Sequence, residues 1–378
     1  MINNYIKGQV LNFQNEVIGR ISENFEEGSI IHFKSNCTLE SKDYLAIICE
    51  EKDYSELQSS GCEVPLFVTN KTINLSEGDV VKISERGELK VLYSTKSNDN
   101  VLFITENCNH RCIMCSQPPS QKKDFDYLFS LNMKVIELIN QDCESLGVTG
   151  GEPTLLGKRL FKMYDEIADK LPNTIVHTLT NGRAFSSNDF CKNLLASKNE
   201  NLLFGIPLYS DNPAQHNYIV QSKNAFEQTI KGLYNLASLN QRIEIRIVIS
   251  KLNYERLLDI AHFIYKNLPF VFHVAFMGLE DVGHATKNRE LVWMESTEYI
   301  EDLSSAVEYL ANFGVNVSIF NIPLCNLLPN LWQFSVKSIS DWKTEYLEIC
   351  ENCKLKEECC GVFGTSNKVS ENIRPYIV

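Results

Sequence analysis

The sequence of 378 residues contains no uninterrupted apolar run near the roughly 18 residues of a membrane-spanning helix, so no membrane segment is expected. Basic residues are also scarce: 36 Lys and Arg face 48 Asp and Glu, a formal net charge of −12. Because surfaces that bind phosphate backbones need an excess of Lys and Arg, nucleic acid is not an expected partner. The first residues lack the apolar run of a secretory signal, and we therefore expect a cytoplasmic protein.

Cysteine, in contrast, is unusually frequent for a protein of this length, with 13 in the chain. In a reducing compartment, thiols that lie close together in sequence indicate metal binding or catalysis rather than disulfides. The hydrophobic content of 44% and the charged content of 22% are ordinary for a globular protein, and the length predicts two or three domains. A chain of this size is large enough to be an enzyme.

Three segments of the chain differ in their patterns. Residues 1–97 contain short strand patterns separated by turns and predict an N-terminal β-rich domain. Residues 98–288 alternate apolar strands with helical patterns in about six βα units, which predicts an α/β fold whose parallel sheet closes fully or partly into a barrel. Residues 289–378 hold one more helix, a strand and a cysteine-rich tail. Parallel sheets of this kind bind ligands at the carboxyl ends of their strands.

A compact group of thiols follows the first strand of the second segment. In FITENCNHRCIMCSQPP, Cys108, Cys112 and Cys115 have the spacing C-x3-C-x2-C. A [4Fe–4S] cluster needs thiolates that converge from one loop, and three protein ligands leave one iron open for S-adenosylmethionine (SAM). Zinc is the competing interpretation, but a structural zinc site needs four ligands and usually paired C-x2-C or C-x2-H units. The spacing therefore favours an iron–sulfur cluster that binds SAM.

The next strand ends in SLGVTGGEPTL and delivers Gly150, Gly151 and Glu152 to the same edge of the sheet. Two glycines allow backbone to approach a ligand closely, and a carboxylate can accept from the methionine ammonium of SAM. By itself, GGEP is as typical of a plain strand-to-helix turn as of a ligand-binding motif. After a three-cysteine loop, this motif resembles the radical SAM superfamily over about residues 101–280. The resemblance implies a partial (βα)6 barrel that cleaves SAM reductively.

Three polar residues near later strand ends are further candidates for SAM binding: Asn181 in HTLTNGR, Ser210 in IPLYSD and Arg246 in IEIRIVIS. The superfamily resemblance implies contacts with the ribose and carboxylate of SAM at these places. Asn181 precedes Gly182, and an Asn at this position is as typical of a turn as of a ligand contact. Arg246 lies within an apolar strand, where it needs a buried acceptor.

The tail carries a second group of thiols. Cys325 is followed by CENCKLKEECCGVFG, which contains Cys350, Cys353, Cys359 and Cys360. Four thiolates suit either zinc or a second iron–sulfur cluster, and their spacing does not separate the two. Radical SAM enzymes that act on peptides often carry a C-terminal auxiliary cluster, so the resemblance implies a second [4Fe–4S] cluster on Cys325, Cys350, Cys353 and Cys359. The remaining cysteines are scattered in strand and helix patterns and are interpreted as structural: Cys37, Cys49, Cys62, Cys143 and Cys191.

Several long segments resemble one group more narrowly, the His-Xaa-Ser system radical SAM maturases, and within it the C-type member of that paired system. The resemblance covers about residues 100–365 and includes CIMCSQPP, IPLYSDNPAQHNYIVQ, NLPFVFHVAFMGLE, SISDWKTEYL and the C-terminal C-x2-C-x5-C. It implies a partial (βα)6 barrel between the N-terminal β domain and a C-terminal auxiliary iron–sulfur domain. The sequence departs from the pattern at CCGVF, where Gly is expected in place of Cys360, so the last tail ligand stays open between Cys359 and Cys360.

The implied function is that of a maturase. It would cleave SAM to a 5′-deoxyadenosyl radical, abstract hydrogen from a ribosomally made precursor peptide with His-Xaa-Ser repeats, and so install a post-translational modification. The implied partners are this peptide, a second radical SAM maturase and an external electron donor such as flavodoxin or ferredoxin. Two alternatives remain: a radical SAM enzyme that acts on a small molecule in cofactor or metabolite biosynthesis, and a non-enzymatic zinc-binding interaction protein.

Overall fold

A computed structural model of the chain describes residues 5–24, 26–34, 43–59, 64–120, 124–337 and 343–377. The chain divides into two compact units. The first comprises Met1–Leu102, Asp126–Leu146 and Glu166–Thr174, and the second comprises Phe103–Phe125, Gly147–Asp165 and Ile175–Val378. The domain boundaries expected after residues 97 and 288 stay predictions. In the described part of the chain, no helix combines the length and the apolar character that crossing a membrane requires.

The first unit contains a mixed β-sheet. Its strands follow the order β1-β8-β7-β3-β4-β5-β6-β2, in which β3 to β6 run parallel and the outer pairs run antiparallel. The strands are β1 (Tyr5–Lys7), β2 (Gln9–Leu11), β3 (Val17–Ser22), β4 (Ile30–Phe33), β5 (Ala46–Glu50), β6 (Leu66–Thr69), β7 (Val80–Ile83) and β8 (Glu88–Tyr93).

The central strands of this sheet are apolar on both faces. Alternate residues of a strand point to opposite faces, and Ile30 of β4 and Ile48 of β5 join one hydrophobic cluster while Ile31 and Ile47 join another. A short helix, α1 (Tyr54–Ser59), follows β5 where the sequence showed no helical period. The β-rich character of this segment is therefore confirmed, with one short helix added.

The second sheet has eight strands in chain order from β9 to β16, and the strands from β11 to β16 run parallel to one another. The seven strands that the sequence predicts after residue 97 are all present, and a short eighth strand follows them. The strands are β9 (Val101–Phe103), β10 (Ser145–Thr149), β11 (Ile175–Leu179), β12 (Leu202–Pro207), β13 (Arg242–Val248), β14 (His273–Met277), β15 (Val317–Phe320) and β16 (Ser335–Val336). This α/β arrangement agrees with a partial barrel.

Helices separate most of these strands, as in successive βα units. They are α2 (Phe125–Leu138), α3 (Lys158–Lys170), α4 (Asn188–Leu195), α5 (Pro213–Ile219), α6 (Ala225–Ser238), α7 (Leu257–Asn267), α8 (His284–Lys287), α9 (Arg289–Val292) and α10 (Ser296–Asn312). The apolar stripe predicted for α7 is buried, because Leu257, Ala261 and Ile264 are each at most 1% exposed. A two-stranded antiparallel ribbon, β17 (Thr344–Glu345) and β18 (Val362–Phe363), lies in the tail.

The two faces of the parallel sheet have different chemistry. On β13, Ile243, Ile245 and Ile247 are completely buried on one face. Glu244 and Arg246 alternate with them and therefore lie on the opposite face. That opposite face carries the polar groups of the site described below.

Candidate functional site

The cysteine loop leaves the end of β9 and is held by the end of β10. The backbone N–H of Ile104 donates to the carbonyl oxygen of Thr149 at 2.9 Å. Beyond the strands, Gly151 N donates to Thr105 O and Glu152 N donates to Asn107 O, both at 2.7 Å. Backbone pairing thus continues up to Asn107, the residue before Cys108, and so fixes the position at which the cysteine loop starts.

The two glycines of the GGE motif permit this close approach of two backbone segments. A Cβ atom on Gly150 would lie 2.5 Å from the carbonyl oxygen of Thr105. A Cβ atom on Gly151 would collide with the carbonyl oxygen of Asn107. The sequence predicted that the glycines admit a ligand, whereas the contact present in the structure is with the cysteine loop itself. Approach to SAM stays a prediction.

The thiols of Cys108, Cys112 and Cys115 are partly exposed and influence one another electrostatically. Burial raises the pKa of Cys108 to about 12, with the Glu152 carboxylate and Cys115 adding to the increase. Burial also raises the pKa of Cys112, and the neighbouring thiols Cys115 and Cys108 contribute. The backbone N–H of His110 donates to the Cys108 sulfur at 3.4 Å. Three neighbouring thiols on one short loop are a donor set that fits an iron–sulfur cluster.

Glu152, the charged residue of the motif, is buried, with 1% of its surface exposed. Its Oε1 accepts from the backbone N–H and the hydroxyl of Thr154, at 3.0 and 2.6 Å, and from the hydroxyl of Thr180 at 2.6 Å. Its Oε2 accepts from the backbone N–H of Asn181 at 2.7 Å. Burial raises the pKa of this carboxyl, and the hydrogen bonds oppose the shift. The carboxylate is thus bound to the protein itself, and its contact with SAM stays a prediction.

Asn181 joins the end of β11 to the cysteine loop. Its side-chain amide donates to Asn109 Oδ1 at 2.6 Å. Arg183, which the sequence analysis did not select, donates to the carbonyl oxygen of Asn109 at 3.4 Å and to Ser222 Oγ at 2.7 Å. The structure therefore brings Asn181 to the predicted place and adds Arg183, whose only sequence signal was its position next to the Asn-Gly turn.

Ser210 and Arg246 are held by protein partners. Ser210 is completely buried, donates to Gln215 Oε1 at 2.8 Å and accepts from the backbone N–H of Asn212 at 3.0 Å. It therefore shapes the turn before α5. Arg246 donates to Glu244 Oε1 at 3.1 Å, which is the buried acceptor that an arginine in an apolar strand needs. Contacts of either residue with SAM stay predictions.

Glu244 is the centre of a polar network on the inner face of the parallel sheet. Its Oε2 lies 2.9 Å from His273 Nδ1, and its Oε1 lies 3.5 Å from His177 Nε2. His273 Nε2 lies 2.9 Å from Ser318 Oγ. Burial alone would raise the pKa of Glu244, but the contacts with His177, His273 and Arg246 outweigh burial and hold it well below its usual range. Four strands, β11, β13, β14 and β15, contribute to this network.

The segment after β14 supports the far end of the cysteine loop. The backbone N–H of His284 donates to Cys115 O at 2.8 Å, and the Asn288 side chain donates to Ile113 O at 2.8 Å. Met114 packs in a hydrophobic cluster with Ile113 and Tyr209. His284 and Asn288 were not predicted from the sequence, because their contacts are with residues about 170 positions earlier in the chain.

The tail thiols surround a small cavity of about 20 Å³. Cys325, Cys350, Cys353 and Cys359 all line it, whereas Cys360 does not. The Cys359 sulfur accepts from the backbone N–H groups of Leu324 and Gly361, each at 3.4 Å. A hydrogen bond from Cys360, together with these N–H groups, lowers the pKa of Cys359 to about 6 although burial acts in the other direction.

Cys360 differs from the four lining thiols. It is 3% exposed, and its sulfur lies 3.3 Å from the carbonyl oxygen of Gly361. Four thiols around one cavity, one of them supplied with N–H donors, fit an inorganic centre of either kind. Among the described residues, no three His, Cys, Asp or Glu side chains already form a site for a single metal ion.

Other cysteines agree with a structural role. Cys49, Cys143 and Cys191 are free and buried. Cys37 and Cys62 lie outside the described residues.

Residues 102–264 match the family model of the radical SAM superfamily. The match begins in β9 and includes the cysteine loop, the GGE motif and the strands up to β13. Over these residues the chain is similar to radical SAM domains, which hold a [4Fe–4S] cluster and SAM. A search of curated proteins found no match.

Several solved structures are similar to this chain. SuiB of Streptococcus suis bound to SAM is 14% identical, with 58% of this chain and 49% of that chain covered and a TM-score of 0.45. The enzyme anSMEcpe with bound SAM is 18% identical, with 58% and 60% covered and a TM-score of 0.44. A domain of a pyruvate-formate lyase-activating enzyme from Bacteroides vulgatus is 16% identical, with 47% and 98% covered and a TM-score of 0.36. The matched region thus spans about half the length of SuiB and 60% of anSMEcpe. SuiB has also been solved with its precursor peptide SuiA, and anSMEcpe with peptides.

Proposed function

We propose that this chain is a radical SAM enzyme and a peptide maturase, whose SAM-binding cluster is held by Cys108, Cys112 and Cys115. The observation that carries the cluster assignment is the three-thiol loop at the end of β9, held by backbone pairing to the end of β10. Cys108, Cys112 and Cys115 would hold a [4Fe–4S] cluster, which would supply the electron for reductive cleavage of SAM and so the means of abstracting hydrogen. Gly150, Gly151, Glu152, Asn181, Ser210 and Arg246 are proposed to surround the SAM molecule.

The residues of this chain have a positioning role in that chemistry. Gly150 and Gly151 allow the backbone contact that places the loop, and Glu152 and Asn181 connect the loop to β11. On the inner face, Glu244 keeps Arg246 fixed by an ion pair of 3.1 Å. Groups fixed in advance around a reactive intermediate orient the target and exclude water.

The proposed substrate is a ribosomally made precursor peptide of the His-Xaa-Ser repeat type. Support comes from the sequence resemblance over residues 100–365, which includes the segment from IPLYSDNPAQHNYIVQ onward. A second radical SAM maturase and an external electron donor such as flavodoxin or ferredoxin are proposed partners. A small molecule is the alternative substrate.

The proposed tail centre is a second [4Fe–4S] cluster on Cys325, Cys350, Cys353 and Cys359. These four thiols line one cavity, and Cys359 has the N–H donors that stabilise a thiolate. Ligation by four protein thiolates would leave no iron open for SAM, so we assign this centre to electron transfer or structural support. Zinc is the competing occupant, and metal analysis separates the two.

The test is reductive SAM cleavage by the anaerobically reconstituted protein. We expect formation of 5′-deoxyadenosine by the natural sequence and none by the triple Ala variant of Cys108, Cys112 and Cys115. The matched control removes three buried thiols elsewhere, Cys49, Cys143 and Cys191, and should retain SAM cleavage. Cleavage by the first triple variant would refute the cluster assignment.

The substrate class is tested by isotope transfer. A deuterated precursor peptide, co-incubated with the enzyme and SAM, should pass deuterium to 5′-deoxyadenosine and change mass after modification. SAM cleavage without deuterium transfer from any peptide of this repeat type would leave the radical SAM activity in place and refute the peptide substrate.

A further inference from the structure

A second cavity, of about 60 Å³, lies where the carboxyl ends of three strands meet the tail. Ile249, Gly278 and Asn321 directly follow β13, β14 and β15 and form one side of it. Tail residues, among them Ser366 and Lys368, form the other side. A single water needs only about 10–15 Å³, so this cavity admits a group of several atoms. Neither group of cysteines lines it, and none of the candidate SAM-binding residues does.

Two buried polar atoms in the lining have no hydrogen-bond partner in the part of the chain that the structure describes. They are Nε1 of Trp293 and Oδ1 of Asn321. The indole N–H can only donate a hydrogen bond, and the amide oxygen can only accept one. Buried polar groups in folded proteins are nearly always satisfied, and an unsatisfied one is costly. The two atoms therefore point to an occupant that supplies an acceptor and a donor.

The charged and polar neighbours of these two atoms are already engaged. Glu295 Oε2 accepts from the Ser370 hydroxyl at 2.6 Å. Lys368 Nζ lies 3.4 Å from a carboxylate oxygen of Glu371. The formally charged residues of the lining are one carboxylate, Glu295, and one ammonium, Lys368, so their charges cancel and the lining favours neither an anion nor a cation. The cavity is therefore suited to a neutral group.

We propose that this cavity recognises one neutral side chain of the substrate that carries both an acceptor and a donor, namely a hydroxyl, a carboxamide or an imidazole. The acceptor of that side chain would bind Trp293 Nε1, and its donor would bind Asn321 Oδ1. The cavity is smaller than the roughly 300 Å³ at which pockets begin to enclose a whole small molecule, and its size suits one side chain of a longer peptide. The inference rests on the proposed peptide substrate.

The experiment measures direct binding of four small probes of nearly the same shape by ligand-detected NMR on the reconstituted protein. Acetamide carries an acceptor and a donor, acetone only an acceptor, acetate is an anion and acetamidine, which bears amidinium N–H donors, is a cation. We expect acetamide to bind in the millimolar range, about tenfold tighter than acetone, because one hydrogen bond separates the two. Acetate and acetamidine should bind more weakly than acetamide.

Three variants locate the binding. Trp293→Phe removes the donor and should weaken acetamide and acetone about tenfold. Asn321→Gly removes the acceptor at a position with φ of +63°, which glycine tolerates, and should bring acetamide down to the affinity of acetone. The control is Trp332→Phe, because Trp332 Nε1 already donates to Leu324 O at 3.1 Å, and binding should not change.

Equal affinity for acetamide and acetone, tighter binding of acetate or acetamidine, or unchanged binding by both cavity variants would overturn the proposal. If Trp293→Phe fails to fold, the four probes and Asn321→Gly still decide it. SAM cleavage without substrate is measured on the same samples. Acetamide binding without SAM cleavage would refute the proposed function alone, and SAM cleavage without selective acetamide binding would refute the pocket alone.

Discussion

The Glu152 carboxylate accepts a hydrogen bond from the backbone N–H of Asn181, with 2.7 Å between Oε2 and N. The side chain of Asn181 in turn donates to Asn109, the residue after Cys108. The backbone N–H of Glu152 also donates to Asn107, the residue before Cys108. Glu152 is thus linked to both neighbours of Cys108: to Asn107 through its own backbone N–H, and to Asn109 through Asn181.

The first prediction concerns Glu152→Gln. One oxygen of the carboxylate becomes an NH2 group that must face an N–H or O–H donor, so at least one buried hydrogen bond is lost. We expect the free energy of unfolding of the iron-free protein to fall by about 1–3 kcal/mol in the absence of SAM. Urea unfolding measures this change. Thr154→Val, which removes only one of the hydroxyl donors to Oε1, should have a smaller effect.

SAM affinity distinguishes the two roles of Glu152. Unchanged stability together with weakened SAM binding would show that the carboxylate binds the ammonium of SAM and does not mainly position the loop. Loss of stability together with weakened SAM binding is the expected result.

The second prediction concerns Gly151→Ala. The added methyl group would collide with the carbonyl oxygen of Asn107, so the loop that carries Cys108 must move. We expect reconstituted protein of this variant to lose most of the cluster that Cys108, Cys112 and Cys115 are proposed to hold, measured as iron content and absorbance. The control is Gly314→Asn at the end of α10, where a Cβ atom meets nothing within 4 Å and Asn tolerates the φ of +76°. Equal iron in both variants would mean that the contact does not place the loop.

The third prediction concerns the pH dependence of stability. Glu244 has a pKa well below its usual range because His177, His273 and Arg246 favour the carboxylate. A carboxyl whose pKa is lower in the folded state contributes stability above its unfolded pKa, about 4.3, and loses it as pH falls toward the folded pKa. Glu244→Gln should therefore lower the free energy of unfolding by roughly 3 kcal/mol at pH 7.

The same comparison at low pH checks the sign. Below about pH 4 Glu244 binds a proton in the unfolded state while the folded state still holds the carboxylate, so the natural protein loses part of this stabilisation. The difference between it and Glu244→Gln should therefore shrink. Urea unfolding of the iron-free proteins at pH 7 and pH 3.5 measures both values. Glu301→Gln on the exposed side of α10 should change neither. A difference that grows as pH falls would contradict the assignment.

The fourth prediction separates the adjacent tail cysteines. Cys359 lines the cavity with the other three thiols, whereas Cys360 is turned to the carbonyl oxygen of Gly361. Cys359→Ser should therefore lose the tail centre, and Cys360→Ser should keep it. With two [4Fe–4S] clusters the natural protein should carry about eight irons, and Cys359→Ser about four.

Metal analysis decides the nature of the tail centre. About four irons together with one zinc in the natural protein would refute the second cluster and retain the ligand set. Loss of the centre in Cys360→Ser with retention in Cys359→Ser would reassign the fourth ligand.

Local patterns in the sequence were sufficient for the parallel sheet and for the cysteine loop. The strands from β9 to β15 were predictable because a buried parallel strand is a short apolar run between turns. The C-x3-C-x2-C spacing was interpretable because a loop of eight residues brings its own thiols together wherever it is placed. For the same reason Cys350, Cys353 and Cys359 were recognisable as one group, whereas the addition of the distant Cys325 rested on the family resemblance, and the sequence left the metal open.

The partners of the polar groups were decided only by the tertiary structure. Glu244 meets His273 because β14 pairs directly with β13, and it meets His177 across the intervening strand β12. The register of strands far apart in sequence is not a local property. The role of Gly150 and Gly151 changed for the same reason, since the backbone that they approach belongs to another strand end. Sequence spacing determined which thiols stand together, and the packing of distant strands determined which groups hold them in place.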